Sequence, residues 1–482
     1  MRVCLINPPR IQPKVWGKPS VFPPIPLAYI AAVLEKENDV YVIDAPTEGR
    51  RNISIINKNV YRVGLSNNQI EKKIRNWNPD IVIIEIPFSG WARTAFEVCS
   101  IIKKISNKII TILYGQHPSA RPSACLKRGN IDFVVIGEAE NTIKELVGYL
   151  KDGLSNYQKI RGLAFIKNNK LVITPTRPVI EDLDSLPMPA RHLLPMREYA
   201  LAVKENPLRG VIRKPWTIMI TSRGCPYSCV FCTHHTVWGK KWRGRSPKNI
   251  VSEIQHLINN YGIKQIDFLD DNMTLDRNRM EKICDLLISK KIRIEWFTPS
   301  GLRADTLDES LLQKMKKAGC KKIRVAPESG VQRIVDSVIK KNLNLKSVEK
   351  AVRLCKKVGL KVGCFFVIGL IGETKKDIKE TINFAYKLKQ LGADSFIFSI
   401  ASPIYGTELY KQAKKEGYLK PSFCEDSLAS AEPLIETPEF SSEDLIRLCE
   451  IANSVNPSFT RDKLIHAIMN PVKTLKILLG KT

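Results

Sequence analysis

The sequence predicts an α/β protein made of a doubly wound, Rossmann-like domain, a partial (β/α)6 barrel and a helical C-terminal region. Three observations carry this expectation. Wholly apolar runs alternate with helical spacing through residues 1–155. A second strand–helix series restarts near residue 217 and repeats six times. A last stretch, 421–482, reads as helical.

In the first region, VCLINPP (3–9) is apolar and stops at two prolines, as a strand running into a loop does. LAYIAAVLEKE (27–37) has helical spacing, and DVYVIDA (39–45) is a second strand. DIVIIEI (80–86), KIITILYG (108–115) and DFVVIGE (132–138) follow, separated by helical spacing at 70–77, 91–105 and 138–151. Such runs are apolar throughout because parallel strands are covered on both faces. A sheet of this kind takes its ligands at the carboxyl ends of its strands. Residues 156–210 read as a linker, with a hairpin around Asn168-Asn169 in FIKNNKLVI and a proline-punctuated stretch, LDSLPMPARHLLP. Residues 211–420 carry strands at 217–221, 264–269, 292–297, 321–326, 361–367 and 394–400, with helices at 247–260, 277–290, 308–318, 345–358 and 375–390. Six βα units in succession predict a partial barrel.

The chain has 482 residues, 44% of them hydrophobic, which suits two or three packed domains. No run of about 18 apolar residues predicts a membrane span. MRVCLINPPR lacks the basic start and long apolar core of a secretory signal, so the expected location is cytoplasmic. Nine of twelve cysteines (Cys4, Cys99, Cys125, Cys284, Cys320, Cys355, Cys364, Cys424, Cys449) are scattered singly and read as small hydrophobes rather than disulfide partners. The net charge of +28 suits a lysine-rich surface, an anionic substrate, nucleic acid or an anionic membrane; charge alone does not separate these.

The other three cysteines form C-x3-C-x2-C: Cys225, Cys229 and Cys232, directly after the first barrel strand. Three thiolates within eight residues can hold three corners of a 4Fe–4S cubane and leave the fourth iron open to a small-molecule ligand. Gly224 permits the sharp turn into the loop. His234 or His235 could instead complete a Cys3His zinc site, but structural zinc knuckles pair C-x2-C with a distant second pair, and none is present.

The loop resembles the signature of the radical S-adenosylmethionine (SAM) superfamily, including the aromatic Phe231 before the last cysteine, which in that family lies near adenine. Four further motifs resemble the family's in order. FLDDNMT (268–274) stands where many members have Gly-Gly-Glu near the methionyl amino group, which points to Asp271 but departs from the pattern. VAPESG (325–330) places Glu328 and Ser329 toward the cofactor. VIGLIGET (367–374), with Gly369, resembles the motif packed on adenine, and ASPIYGTEL (401–409) the sixth-strand exit. Arg243 and Arg245 resemble a basic pair common soon after the cluster loop.

A doubly wound domain ahead of such a barrel resembles the cobalamin-binding branch. The matching landmarks are Asn7-Pro8-Pro9, Ser89-Gly90, Tyr114-Gly115-Gln116-His117-Pro118 and Gly137-Glu138-Ala139-Glu140, all at strand carboxyl ends. The mutase sequence D-x-H-x-x-G is missing, so His117 is not expected to coordinate cobalt. The resemblance covers residues 1–420 and implies three cofactors: a 4Fe–4S cluster, SAM and cobalamin. It further implies a 5′-deoxyadenosyl radical, a methyl group delivered from cobalamin, and a flavodoxin- or ferredoxin-type electron donor. The leading expectation is methylation of an unactivated carbon or phosphorus in a small-molecule or lipid substrate. Alternatives are a radical cyclase or coupling enzyme on a lipid or tetrapyrrole, and a methylthiotransferase. The last would need three more cluster cysteines and a β-rich RNA-binding domain, so nucleic acid is not an expected partner. In the tail, RDKLIHAIMNPVKTLKILLGKT (461–482) carries apolar residues at helical spacing with five basic residues. It suits either docking on the barrel or a peripheral membrane contact.

Overall fold

The computed structural model describes residues 1–17, 20–205 and 215–456. Strands β1 (Arg2–Asn7), β2 (Asp39–Asp44), β3 (Ile81–Glu85), β4 (Ile110–Tyr114) and β5 (Phe133–Val135) form a parallel sheet in the order 2-1-3-4-5. Alternate residues of each strand serve opposite faces. Val3 and Leu5 pack with helices α1 (Ile25–Leu34) and α4 (Glu140–Lys151), while Cys4 and Ile6 pack with α2 (Asn67–Trp77) and α3 (Ala92–Ile105). Both faces are covered, which is why the interiors of these strands are almost wholly apolar.

The hairpin around Asn168-Asn169 forms, with both asparagines left-handed (φ 48° and 59°), the backbone a two-residue turn requires. It is not a free linker. Its strands β6 (Leu163–Lys167) and β7 (Lys170–Ile173) extend the sheet, β6 pairing antiparallel with β5. Leu163, Ala164 and Phe165 are buried there, so the segment between 156 and 175 belongs to the first domain. A small antiparallel sheet of Arg10–Pro13, Val60–Val63 and Ile53–Ile55 was not legible as strands.

The second sheet contains β8 (Trp216–Met219), β9 (Gln265–Phe268), β10 (Glu295–Leu302), β11 (Cys320–Glu328), β12 (Lys361–Ile368) and β13 (Ser395–Ile400), all parallel and in sequence order. Its outer face carries α5 (Pro247–Tyr261), α6 (Arg277–Ser289), α7 (Glu309–Lys317), α8 (Leu345–Val358) and α9 (Lys375–Gln390). Each of these helices starts at a polar cap (Ser246, Asp276, Asp308, Asn344, Thr374) whose side chain accepts a first-turn N–H. The partial barrel leaves two edges. Ile25, Tyr29 and Val203 pack beside β8. At β13, the Asn456 amide accepts from the Phe396 N–H and donates to its carbonyl, both at 2.7 Å, in place of a further strand.

Of the C-terminal region 421–482 expected to be helical, residues 421–456 are described. Among the described residues its α-helix is α10 (Ser442–Asn453), packed on α9 and β13. Residues 421–441 carry Pro421, Pro433 and Pro438 and are irregular apart from a 3₁₀ turn at Asp426–Ala429. They return to the first domain, where Glu425 pairs with Arg128 (3.0 Å) and Asp426 with Arg93 (3.2 Å). The amphipathic stretch 461–482 lies outside the described residues.

Candidate active site

After β8 the chain turns at Gly224 (φ +82°), where a Cβ would stand 2.3 Å from the Lys241 carbonyl oxygen, so no side chain fits. The turn is braced from the end of β9. Asp270, fully buried, accepts from the Thr221 hydroxyl (2.6 Å), the Ser222 hydroxyl (2.5 Å) and the Thr221 N–H (3.2 Å). Asp271 accepts from the Gly224 N–H (3.2 Å) and lies 2.6 Å from His234 Nδ1. Acidic residues in place of two glycines therefore hold the cysteine loop. Cys225, Cys229 and Cys232 are all partly exposed on it, whereas Cys4, Cys99, Cys125, Cys284, Cys320, Cys355 and Cys364 are buried. Burial pushes the thiols of Cys229 and Cys232 up to about 11 and about 12, with Lys341 and Arg303 pulling against that rise at Cys229. Metal binding to such thiols must displace their protons.

The barrel's other strand ends converge beside this loop. Glu328, the last residue of β11, adopts a left-handed backbone (φ 66°) and accepts from Lys341 Nζ at 2.7 Å. Ser329 is fully buried; its hydroxyl meets Thr381 Oγ1 at 3.0 Å and accepts from the Val331 N–H. Gly369 (φ +83°) donates its N–H to Glu373 (2.7 Å), whose carboxyl burial raises to about 8. Phe231 packs against the apolar cluster of Val230, Ile334, Leu370 and Ile371.

Three residues at this site escaped the sequence reading. Lys341 follows a π-helical turn (Ile334–Val338) and sits between two left-handed residues, Lys340 (φ 62°) and Asn342 (φ 50°). Arg303 donates to the carbonyls of Lys341 and Asn342, both at 2.9 Å, with its guanidinium 3.7 Å from the Tyr227 ring centre. The Val230 N–H binds the Ile339 carbonyl, tying this segment to the cysteine loop. Strain and π-turns of this kind cluster at functional sites. Asn272 is buried with neither side-chain amide atom partnered among the described residues. Nothing in IKKNLN marks Lys341 as special; only the fold does.

A cavity of about 350 Å³ opens between the two domains. Asn7, Glu85, Tyr114, Gly115, Gly137 and Glu140 line it from the strand ends of the first sheet, and Ile220, Thr233, His234, Trp238, Leu269 and Asp271 from the barrel and cysteine loop. It lies at the switch point between β1 and β3, where doubly wound sheets bind ligands. At Gly115 (φ +111°) a Cβ would strike the Ile86 carbonyl oxygen at 2.7 Å. Arg10 is sandwiched between the rings of Phe22 (4.0 Å) and Trp91 (4.4 Å). Buried ion pairs pin the domains around the cavity: Arg223 with Glu140 (2.5 Å) and Arg243 with Glu138 (2.8 Å).

Residues 219–385 match the radical SAM superfamily and residues 19–147 the B12 binding domain. The chain is 33% identical to an uncharacterized methyltransferase of Pyrococcus horikoshii, over 93% of this chain and 90% of that protein. The chain belongs to the B12-binding branch of the radical SAM superfamily. This radical SAM protein is also 29% identical to cytidylyl-2-hydroxyethylphosphonate methyltransferase of Streptomyces wedmorensis, over 90% of this chain and 86% of that one. Its fold is that of the radical SAM methyltransferase TsrM from Kitasatospora setae, solved with cobalamin and a 4Fe–4S cluster: TM-score 0.67, 18% identity, 86% of this chain and 78% of that one.

The residues present fit the three cofactors of this radical SAM enzyme. Three partly exposed thiols share one braced loop, an unpartnered buried amide stands at Asn272, and a glycine-lined crevice faces that loop. The site residues expected from sequence divide into groups. Asn7, Gly115, Gly137 and Asp271 line the interdomain cavity. Phe231, Glu328, Ser329 and Gly369 lie at or beside the barrel strand ends, outside its lining. Pro8, Ser89, His117 and Glu138 are not among the lining residues either. Ser89 acts through Gln116, donating to its Oε1 (3.2 Å) while Gln116 lines the cavity and donates to the Tyr405 carbonyl. Glu138 is consumed by the domain pin. His117 is fully buried between the rings of Phe96 and Tyr405, and burial pushes it down to about 3. Arg245 pairs with buried Glu253 (2.5 Å), so the basic pair is used within the protein.

Proposed function

We propose that this enzyme methylates an unactivated carbon or phosphorus centre of a small molecule. One observation carries the reading: a single cavity touches both the strand ends of the B12-binding domain and the loop of three cysteines. When bound, the cluster with SAM supplies a hydrogen-abstracting radical, and cobalamin supplies the methyl group. The chain's own residues position and enclose. Cys225, Cys229 and Cys232 would ligate iron. Glu328, Ser329, Gly369, Phe231 and Asp271, with Asn272 and Lys341, would surround SAM. Lys341 offers an ammonium and Asn272 a donor and an acceptor suited to a zwitterionic amino acid group. Asn7, Gly115 and Gly137 would face the tetrapyrrole, and Phe22, Ile25, Trp238 and Leu269 give the cavity apolar walls.

The net charge of +28 favours an acidic electron donor of flavodoxin or ferredoxin type. We place the enzyme in the cytoplasm, with a reversible membrane contact through residues 461–482 as a further proposal; no helix among the described residues is long and apolar enough to cross a membrane. Anaerobic reconstitution with iron and sulfide, with and without cobalamin, tests the reading. Expected are the absorbance of both cofactors and SAM cleavage to deoxyadenosine. Cluster uptake without cobalamin uptake would refute the methyl-transfer assignment.

A further inference from the structure

One buried guanidinium joins three segments of the barrel that are remote in sequence. Arg303 directly follows β10, and all of its nitrogens are engaged. Nε and Nη2 donate to the two oxygens of Asp305, at 3.0 and 2.7 Å. Nη1 donates to the Lys341 carbonyl and Nη2 also to that of Asn342, both at 2.9 Å. The face of the group lies 3.7 Å from the ring centre of Tyr227, which stands between Cys225 and Cys229. Lysine could not replace it, having neither a planar fork nor a face to stack.

The turn at Lys341 needs such a hold. Lys340 and Asn342, on either side, both have left-handed backbones, which side-chain-bearing residues adopt rarely. The Lys341 N–H is spent on the Val335 carbonyl (3.0 Å), and its Nζ donates to Glu328 at 2.7 Å, where both side chains are only 10% exposed. A second tie, from the Val230 N–H to the Ile339 carbonyl (3.1 Å), runs from the cysteine loop to the same turn. The two cations are close to the loop's sulfurs: burial raises the Cys225 and Cys229 thiols, and the charges of Lys341 and Arg303 oppose that rise. Groups that meet a cofactor are held in place by partners that do not touch it. Arg303 is such a partner to the cysteine loop and to Lys341 together.

We infer that Arg303 is a positioning residue of the radical SAM site. Through Tyr227 and the carbonyls of Lys341 and Asn342, it locks the cysteine loop and the Lys341 ammonium into one geometry, so that SAM meets both at once. The inference rests on the placement of Lys341 at SAM in the proposed function, and it adds the residue that sets that placement.

SAM titration of the full-length enzyme reconstituted with iron and sulfide tests this, with electron paramagnetic resonance of the reduced cluster recorded before and after SAM. Arg303→Lys should keep the cluster absorbance of the wild type but bind SAM about tenfold more weakly, and the spectral change on adding SAM should be altered. Tyr227→Leu should lose about threefold, and Tyr227→Phe, which keeps the ring, should recover that loss. The double variant Arg303→Lys, Tyr227→Leu should lose less than the product of the two single losses, because both break one contact. A purely structural role would lower the melting temperature and the cluster content while leaving SAM affinity per cluster, and its spectral change, as in the wild type. That result in Arg303→Lys and Tyr227→Leu overturns the inference. Should Arg303→Lys fail to fold, the two Tyr227 variants on the partly exposed loop carry the comparison. Lys341→Gln separates the two readings. Wild-type SAM affinity in that variant defeats the placement of Lys341, whereas weakened binding there beside unchanged binding in Arg303→Lys defeats the role of Arg303 alone.

Discussion

In the first domain β3 buries all five of its residues and β1 all but its first, because helices cover both faces of that sheet. In the barrel, β11, β12 and β13 bury mainly one face, against the helices, and leave the other partly open. The same parallel-strand architecture therefore offers function two kinds of place. A sheet sealed on both sides can bind only at its strand ends, where Asn7, Glu85 and Tyr114 emerge. A sheet with one partly open face offers the length of its strands as well.

The cysteines give this contrast its largest test. Cys4 on β1 and Cys364 on β12 are sealed within strands, while Cys225, Cys229 and Cys232 sit on the loop beyond a strand end. Replacing the three loop cysteines with Ala should abolish cluster absorbance and deoxyadenosine formation completely. Cys4→Ala or Cys364→Ala should leave both intact and cost about 1 kcal/mol of stability, the loss of one buried methyl-sized group. A full cluster in the triple variant would defeat the assignment of the loop.

A smaller effect marks the boundary between sealed strand and open cavity. Glu85 ends β3, and burial pushes its carboxyl up to about 8 against the opposing pull of the Tyr114 hydroxyl and Arg10. Between about pH 4.3, the unfolded value, and about 8 the folded chain keeps a proton that the unfolded chain releases. Stability should therefore fall as pH rises through that window, by at most about 1.4 kcal/mol per pH unit from this one group. Glu85→Gln, the shape of the protonated acid, should flatten the slope without changing stability near pH 4. Unfolding midpoints of the full chain across the window would show it, and parallel curves for wild type and variant would mean that the carboxylate is already paired.

What the sequence made legible follows the same division. Continuous apolar runs such as IVIIE and ITILY can be little other than doubly covered strands, so the first sheet and its strand-end glycines could be read directly. The cysteine loop was equally plain, since its spacing has few other uses. The partly open face of the barrel sheet was not. CKKIRVAPE alternates like any half-exposed strand, and that pattern alone does not say what its partly open face meets. Lys341 was hidden for a related reason, because its place depends on a π-turn and two left-handed residues that no periodicity announces. The hairpin at Asn168-Asn169 was visible as a turn, but its pairing with β5 is a long-range contact that linker-like composition masks.

His117 is the residue on which sequence and structure most need to be told apart, and its test should show the smallest effect. It follows a strand-end glycine, where a cobalt ligand would be sought. Yet it is turned away from the cavity and fully buried; neither ring nitrogen is hydrogen-bonded among the described residues, and Nε2 stands 3.8 Å from the Glu425 carboxylate. Burial, reinforced by Arg121 and Arg128, holds the ring neutral down to about pH 3. Its contribution is shape, filling the space between Phe96 and Tyr405 where the first domain meets the barrel. Leucine fills comparable space and removes two ring nitrogens that make no hydrogen bond, at the loss of the 3.8 Å approach to Glu425, so His117→Leu should shift stability by no more than about 1 kcal/mol in either direction. Cobalamin absorbance and affinity should be unchanged. Electron paramagnetic resonance of the reduced, cobalamin-loaded protein should lack nitrogen coupling from a protein imidazole in both forms. A nitrogen coupling present in the wild type and lost in His117→Leu would show that this loop reverses on cofactor binding and that the strand-end site includes a protein ligand to cobalt.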